Sequence, residues 1–176
     1  MLLTLSGQVN NFANLDLEKS GGAGAFSKDP GGFVLDFGSL LEGTGIATAF
    51  LLLENDIPVG EPGDLLDVAF NIGSGAFALQ GFGSVQDLAP GQQVTGLEIA
   101  FDTTLLGPGL FDQLITLQGI GHNASGFSED LGVFTLELHG RILERGSSVP
   151  EPSSFALLLL GVLGCGVLMR RRRLAR

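Results

Sequence analysis

The stretch Gly132-Val-Phe-Thr-Leu-Glu-Leu-His-Gly-Arg-Ile142 decides the fold, because its apolar and polar residues alternate. Phe134, Leu136 and Leu138 fall on one face of an extended chain, and the residues between them fall on the other. A period of two is typical of a β-strand that buries one face and exposes the other. The segment therefore predicts a half-buried strand.

The same rhythm recurs along the chain before this strand. Short apolar runs alternate with Gly, Pro, Asn and Asp, the residues that favour turns. These runs predict seven further strands, at residues 2–9, 33–37, 45–53, 65–72, 76–82, 93–101 and 110–118. No segment before residue 146 shows a convincing helical period, and twelve of the thirteen phenylalanines lie there and supply large core side chains. The sequence predicts an all-β fold, an antiparallel β-sandwich of the jelly-roll kind.

Charge and cysteine usage restrict the function of this domain. The chain carries a net charge of −10, and the last 27 residues hold five arginines and one glutamate, which leaves −14 before them. Phosphates would repel so acidic a domain, so nucleic acid is excluded as a partner. The charge suits a secreted surface or one that binds cations. The single cysteine, Cys165, lies near the C-terminus, so the domain has neither a disulfide nor thiolate chemistry.

An acidic segment at residues 54–67 is the candidate metal site. It contains five carboxylates, those of Glu54, Asp56, Glu61, Asp64 and Asp67. Calcium binds six to eight oxygens, often from flexible acidic loops. The spacing matches no EF-hand, however, and a solvated acidic hairpin loop is the alternative interpretation. We predict no cofactor other than this calcium.

The two histidines, His122 and His139, have no cysteine or carboxylate cluster close to them in the sequence. A zinc site is therefore not predicted, and both are expected to be ordinary surface residues. A Ser-His-Asp triad remains open, since its members can be distant along the chain, but no Gly-x-Ser-x-Gly motif is present. We therefore expect a protein that is not an enzyme. The sequon Asn123-Ala-Ser125 is interpreted as turn chemistry.

The last 27 residues consist of three parts in a fixed order. Pro150 and Pro152 prevent a helix from extending backward. The fifteen uncharged residues 155–169 follow, and as a helix they would span roughly 22 Å, which is short for a bilayer core of about 30 Å. A run of arginines then marks the cytoplasmic side, because positive charge stays inside.

We predict a single C-terminal transmembrane helix with the preceding domain outside the cytoplasm. Its membrane-anchoring residues are Phe155, Leu157, Leu160, Leu163 and Met169. Its cytoplasmic stop consists of Arg170, Arg171, Arg172 and Arg173. The predicted division of the chain is a β-sandwich domain at 1–146, a linker at 147–154, the helix at 155–169 and a basic tail at 170–176.

A proline motif, an apolar helix and a terminal arginine cluster together resemble the PEP-CTERM sorting signal of exported bacterial proteins. The resemblance implies that Pro150, Glu151 and Pro152 are recognised by an exosortase, a membrane-embedded cysteine protease and transpeptidase. It also implies that the tail is removed and that the domain passes from the inner membrane to the cell surface or matrix, where exopolysaccharide is a partner. The protein would be a substrate in this chemistry and not its catalyst.

Export also leads to an expectation about the N-terminus. The first ten residues contain no basic side chain and no long apolar run, so they do not read as a signal peptide. Either the true start lies upstream of Met1 or the protein is not exported, and we expect the upstream start because the tail makes little sense without export. The alternative function is a calcium- or carbohydrate-binding surface module with a simple membrane anchor. The absence of Trp and Tyr counts against carbohydrate, and a hydrolase is the third class.

Overall fold

The computed structural model describes residue 3 and residues 9–146 of the 176-residue chain. The strand predicted at 2–9 lies almost wholly outside this part, as do the linker from residue 147, the apolar segment and the arginines. The chain divides into two units, Met1–Glu144 and Arg145–Arg176. The finer division into four segments stays a prediction.

The described residues are all-β, as the sequence predicts, and contain no helix. They form ten strands: β1 (Leu15–Gly22), β2 (Ala25–Asp29), β3 (Gly32–Leu41), β4 (Ile46–Asn55), β5 (Leu65–Ile72), β6 (Phe77–Gln80), β7 (Val85–Leu88), β8 (Gln93–Asp102), β9 (Gly109–His122) and β10 (Ser128–Leu143). Seven of these strands overlap the predicted ones.

The strands form two sheets. One has four strands in the order β1-β4-β8-β6, and the other has six in the order β2-β3-β10-β9-β5-β7. One pairing corrects the prediction of a wholly antiparallel fold, since β10 runs parallel to β3, with Leu138 opposite Leu35. The alternation of side chains indicates which face a strand buries, but it does not specify the direction of the neighbouring strand.

The two sheets pack face to face over one core, which confirms the β-sandwich. Phe101 of β8 lies at its centre, with ring centroids 5.8 Å from Phe37 of β3 and 5.5 Å from Phe111 of β9. Gly140 of β10 makes room for this ring, because a Cβ atom there would lie only 2.6 Å from a Phe101 ring carbon. The apolar residues of the alternating pattern, from which the strands were predicted, thus form the core that joins the two sheets.

Strands β1, β2 and β7 were not predicted. Strands β1 and β2 contain charged residues that interrupt the apolar pattern, and Lys28 of β2 forms ion pairs with Asp16 and Glu18 of β1. All three strands lie at the edges of their sheets. Edge strands are often short or charged, which protects them from pairing with other chains. Their sequences therefore lack the pattern that identified the central strands.

Candidate functional site

A cleft lies beside the ends of strands β5 and β9. Its volume is about 580 Å³ and its lining includes Asn10, Phe12, Asp64, Asn123 and Phe127. The two rings are 63% and 40% exposed, and their centroids are 5.9 Å apart. The cleft therefore combines an exposed aromatic pair with amide and carboxylate groups.

Asp64 is the charged residue of this cleft and is only 2% exposed. Its Oδ1 accepts hydrogen bonds from Asn123 Nδ2 at 2.8 Å and from Asn10 Nδ2 at 3.1 Å. Among the described residues, no fully buried side-chain polar atom lacks a hydrogen-bond partner. The carboxylate is thus oriented through Oδ1.

The buried Asn55 holds the chain beneath the cleft. Its Nδ2 donates to the carbonyl oxygens of Asp64 at 3.0 Å and Leu88 at 2.9 Å, and its Oδ1 accepts from the Asn14 N–H at 3.1 Å. Three separate segments therefore meet at one side chain. Buried polar groups of this kind are satisfied only in one arrangement of the surrounding backbone.

The turn after β9 orients Asn123. Its Oδ1 accepts from the N–H of Ser125 at 3.0 Å and from the Ser125 hydroxyl at 2.6 Å. This is the side-chain turn geometry that asparagine favours. It agrees with the interpretation of the sequon as turn chemistry. Because Oδ1 closes the turn, the Nδ2 of Asn123 is left to bind Asp64.

A second cluster lies on the same sheet, where His122 ends strand β9. The His122 Nε2 lies 3.2 Å from Asp67 Oδ1 and 3.4 Å from Asp87 Oδ1. The backbone N–H of Asp87 donates to the same Asp67 oxygen at 2.8 Å. Asp87 has a φ of 54°, the left-handed conformation that non-glycine residues rarely adopt. His122 therefore lies beside two carboxylates that are distant from it along the sequence.

The other histidine is held differently. The His139 Nδ1 lies 2.7 Å from Asp112 Oδ1, across the β9–β10 pair, and its Nε2 lies 3.4 Å from Glu137 Oε2. The hydrogen bond to Asp112 raises the pKa of His139 above its ordinary value of 6.5, partial burial opposes this, and the charges of both carboxylates add to the increase. Each ring nitrogen thus has its own carboxylate, an arrangement that suits an imidazolium.

The five carboxylates of the predicted calcium loop have different surroundings. Glu54 accepts from Gln93 at 2.8 Å, Asp56 from Asn14 at 3.3 Å and Glu61 from Asn11 at 2.8 Å, whereas Asp64 lies in the cleft and Asp67 beside His122. Within residues 9–146, three metal-ligating groups bring their atoms within 4.8 Å only at Asp67, Asp87 and His122. Calcium bound by the five stays a prediction.

A β-sandwich followed by a sorting tail defines a class of proteins addressed to the cell envelope. The tail is identified by comparison with protein families, in which residues 148–173 match the PEP-CTERM protein-sorting motif. The match includes Pro150, Glu151 and Pro152 and confirms the resemblance seen in the sequence. It supports an exosortase-targeted surface protein. The sorting residues lie outside the described residues, and no family matches the domain before them.

In the part of the chain that the structure describes, no helix has the length and apolar character needed to span a bilayer. The predicted transmembrane segment at 155–169 lies beyond that part.

No curated protein matches the chain in sequence. Similar solved structures include the ASH/PapD-like domain 7 of human CEP192, with 13% identity and a TM-score of 0.42, covering 82% of this chain and 99% of that one. A conjugate transposon protein from Bacteroides vulgatus has 12% identity and a TM-score of 0.27, with coverages of 87% and 98%. A cohesin module from a Clostridium perfringens family 33 glycoside hydrolase has 14% identity and a TM-score of 0.27, with coverages of 70% and 98%.

Proposed function

We propose that the protein is a non-enzymatic surface or matrix protein that an exosortase sorts and releases through its C-terminal tail. The observation that carries this proposal is the match of residues 148–173 to the PEP-CTERM protein-sorting motif. In this proposal Pro150, Glu151 and Pro152 form the recognised element. The apolar segment 155–169 and the arginines after it hold that element at the inner membrane until the tail is removed.

The partners of the histidines bear on one alternative, a serine-type hydrolase. In the described part of the chain, the side-chain partners of His122 and His139 are all carboxylates. A hydrolase of the serine type needs a hydroxyl within hydrogen-bond reach of the base. Within the described residues neither histidine has such a partner, which counts against a serine-type triad there.

Replacing Pro150-Glu151-Pro152 by three alanines tests the sorting function. In an exporting host that contains an exosortase, with a signal peptide fused to the chain, the parent should lose its tail and be released. The variant should stay at full length in the membrane fraction, because the recognised element is gone while the apolar segment remains. Immunoblots of the membrane and medium fractions measure both forms.

The matched control replaces Ser153 and Ser154, directly beside the motif, by alanine. This change leaves the three recognised residues intact, so maturation should follow the parent. Normal maturation of the triple-alanine variant would contradict the proposed sorting function. Equal retention of the control would mean that recognition is not specific to the tripeptide.

The cleft supports a second candidate function, binding of the host's exopolysaccharide. Sugar rings present apolar faces, which pack on aromatic side chains. Their hydroxyl groups form hydrogen bonds with carboxylates and amides. Phe12 and Phe127 supply the exposed rings. Asn10, Asp64 and Asn123 supply amide and carboxylate groups in the same cleft. Phenylalanine thus takes the place of the missing Trp and Tyr.

Replacing Phe127 by alanine tests this binding. Loss of one packed ring should weaken retardation in gels that contain exopolysaccharide from the exporting host by about tenfold in affinity. Phe50→Ala is the matched control, since Phe50 is 42% exposed on the outer face of the other sheet. Equal binding by the parent and Phe127→Ala would contradict a glycan site in the cleft, and sorting would be unaffected by that result.

A further inference from the structure

We propose that Asp67, Asp87 and His122 form a binding site for a divalent transition metal, with zinc as the best match. None of these three residues belongs to the sorting tail or to the lining of the cleft proposed to bind glycan. One nitrogen and two carboxylate oxygens, all within 4.8 Å of one another, supply its ligands. These are the donor types that zinc binds in proteins.

Both carboxylates approach the same nitrogen of His122. A neutral imidazole Nε2 carries at most one hydrogen, so it can donate well to only one of the oxygens at 3.2 and 3.4 Å. Zinc lies about 2.0–2.1 Å from its nitrogen and oxygen ligands, and the edges of such a tetrahedron are about 3.3–3.4 Å long. The observed separations therefore suit a shared ion better than a single hydrogen bond.

The carboxylates beside His139 are arranged differently. There, Asp112 and Glu137 lie at different ring nitrogens, at 2.7 and 3.4 Å, so the three groups cannot all bind one ion through that ring. The chain thus contains two histidines, each with two carboxylates, of which only one has converging ligand atoms. His139 is for this reason a natural control.

Three paired strands hold the ligands. Strand β5 lies between β7 and β9, with Leu66 opposite Leu88 and Leu65 opposite His122. The Asp87 N–H bound to Asp67 Oδ1 joins two of the ligands directly, much as outer groups orient the ligands of known metal sites. Sites built on paired strands keep their geometry better than sites on loops.

Exposure and ligand type limit what can bind. The side chains of His122, Asp67 and Asp87 are 27%, 36% and 71% exposed, so the ion would keep an open position for water. Calcium and magnesium prefer oxygen ligands, whereas imidazole favours zinc and its neighbours in the first transition row. The excess of acidic residues in the domain attracts cations in general. Because the site joins edge strand β7 to β5 and β9, the bound ion should stabilise the fold.

The experiment measures zinc binding by the full-length chain with isothermal titration and with the melting temperature. Zinc should bind with one-to-one stoichiometry and raise the melting temperature, since a ligand that binds only the folded state stabilises it. His122→Gln should lose at least about 100-fold in zinc affinity, more than the effect of altering an outer-shell group. His139→Gln should bind zinc like the parent.

Asp87→Asn provides a second test, because this exposed residue can be changed with little risk to folding. It should also lose most of the zinc affinity, while its melting temperature without metal stays near that of the parent. The proposal is overturned if the parent binds no zinc, if calcium raises the melting temperature as much as zinc does, or if His122→Gln or Asp87→Asn responds to zinc like the parent. A loss in His139→Gln equal to that in His122→Gln would overturn it as well.

Discussion

Replacing Phe101 by alanine is expected to lower the free energy of unfolding by about 3–5 kcal/mol, the range measured when large core aromatics are truncated. Phe101 is fully buried. Its ring lies 4.8 Å from that of Phe77 in its own sheet, and it also contacts Phe37 and Phe111 of the opposite sheet. Gly140 has no side chain that could fill the resulting cavity, so the site should collapse poorly.

Urea titration of the full-length chain, followed by circular dichroism, measures this loss. Phe50→Ala is the matched control, because it removes the same side chain from a position that is 42% exposed on the outer face of β4. Its effect should be a small fraction of that of Phe101→Ala. Equal losses in the two variants would show that Phe101 does not join the sheets.

Replacing Asn55 by alanine is expected to cost about 3–5 kcal/mol, mainly through the groups it leaves without partners. The change removes the donor to the Asp64 and Leu88 carbonyls and the acceptor of the Asn14 N–H. Burial of an unpaired polar group costs about 1–3 kcal/mol. Since Asn55 is fully buried, water cannot easily replace it.

The same urea titration measures the effect, and Asn71→Ala is its control. Asn71 lies exposed on strand β5, and a surface substitution there should change stability by less than about 0.5 kcal/mol. A result for Asn55→Ala as small as this would contradict its role beneath the cleft. Asn55→Asp should also be destabilising, because a carboxylate keeps the acceptor but loses both donors.

The central strands could be predicted because their pattern is local. Phe134, Leu136 and Leu138 alternate with polar residues, and the structure places the last two in the core as expected. The edge strands could not be predicted, because Asp16, Glu18 and Lys28 have partners that only the neighbouring strand reveals. The parallel pairing of β3 with β10 was missed for a similar reason, since two distant segments form it.

The candidate sites, like the strands, could be predicted only in part from the sequence. A cluster of acidic residues at 54–67 was visible in the sequence, but its members have different partners in the fold. Asp67 reaches His122 across 55 positions of the chain, and Asp64 reaches Asn123 across 59. Such pairs are not apparent from residues that are neighbours along the sequence. The turn chemistry of Asn123 and Ser125 marks the end of β9. It was the signal that could have suggested these pairs.

The sequence by itself determined the all-β class and the sorting tail, because an alternating strand and a linear motif depend on residues that are neighbours along the chain. Only the tertiary structure decided the strand order, the convergence of Asp67 and Asp87 on His122, and the cleft around Asp64. These features depend on the register between strands that are distant in sequence. That register is set by the packing of both sheets around residues such as Phe101, and not by any single segment.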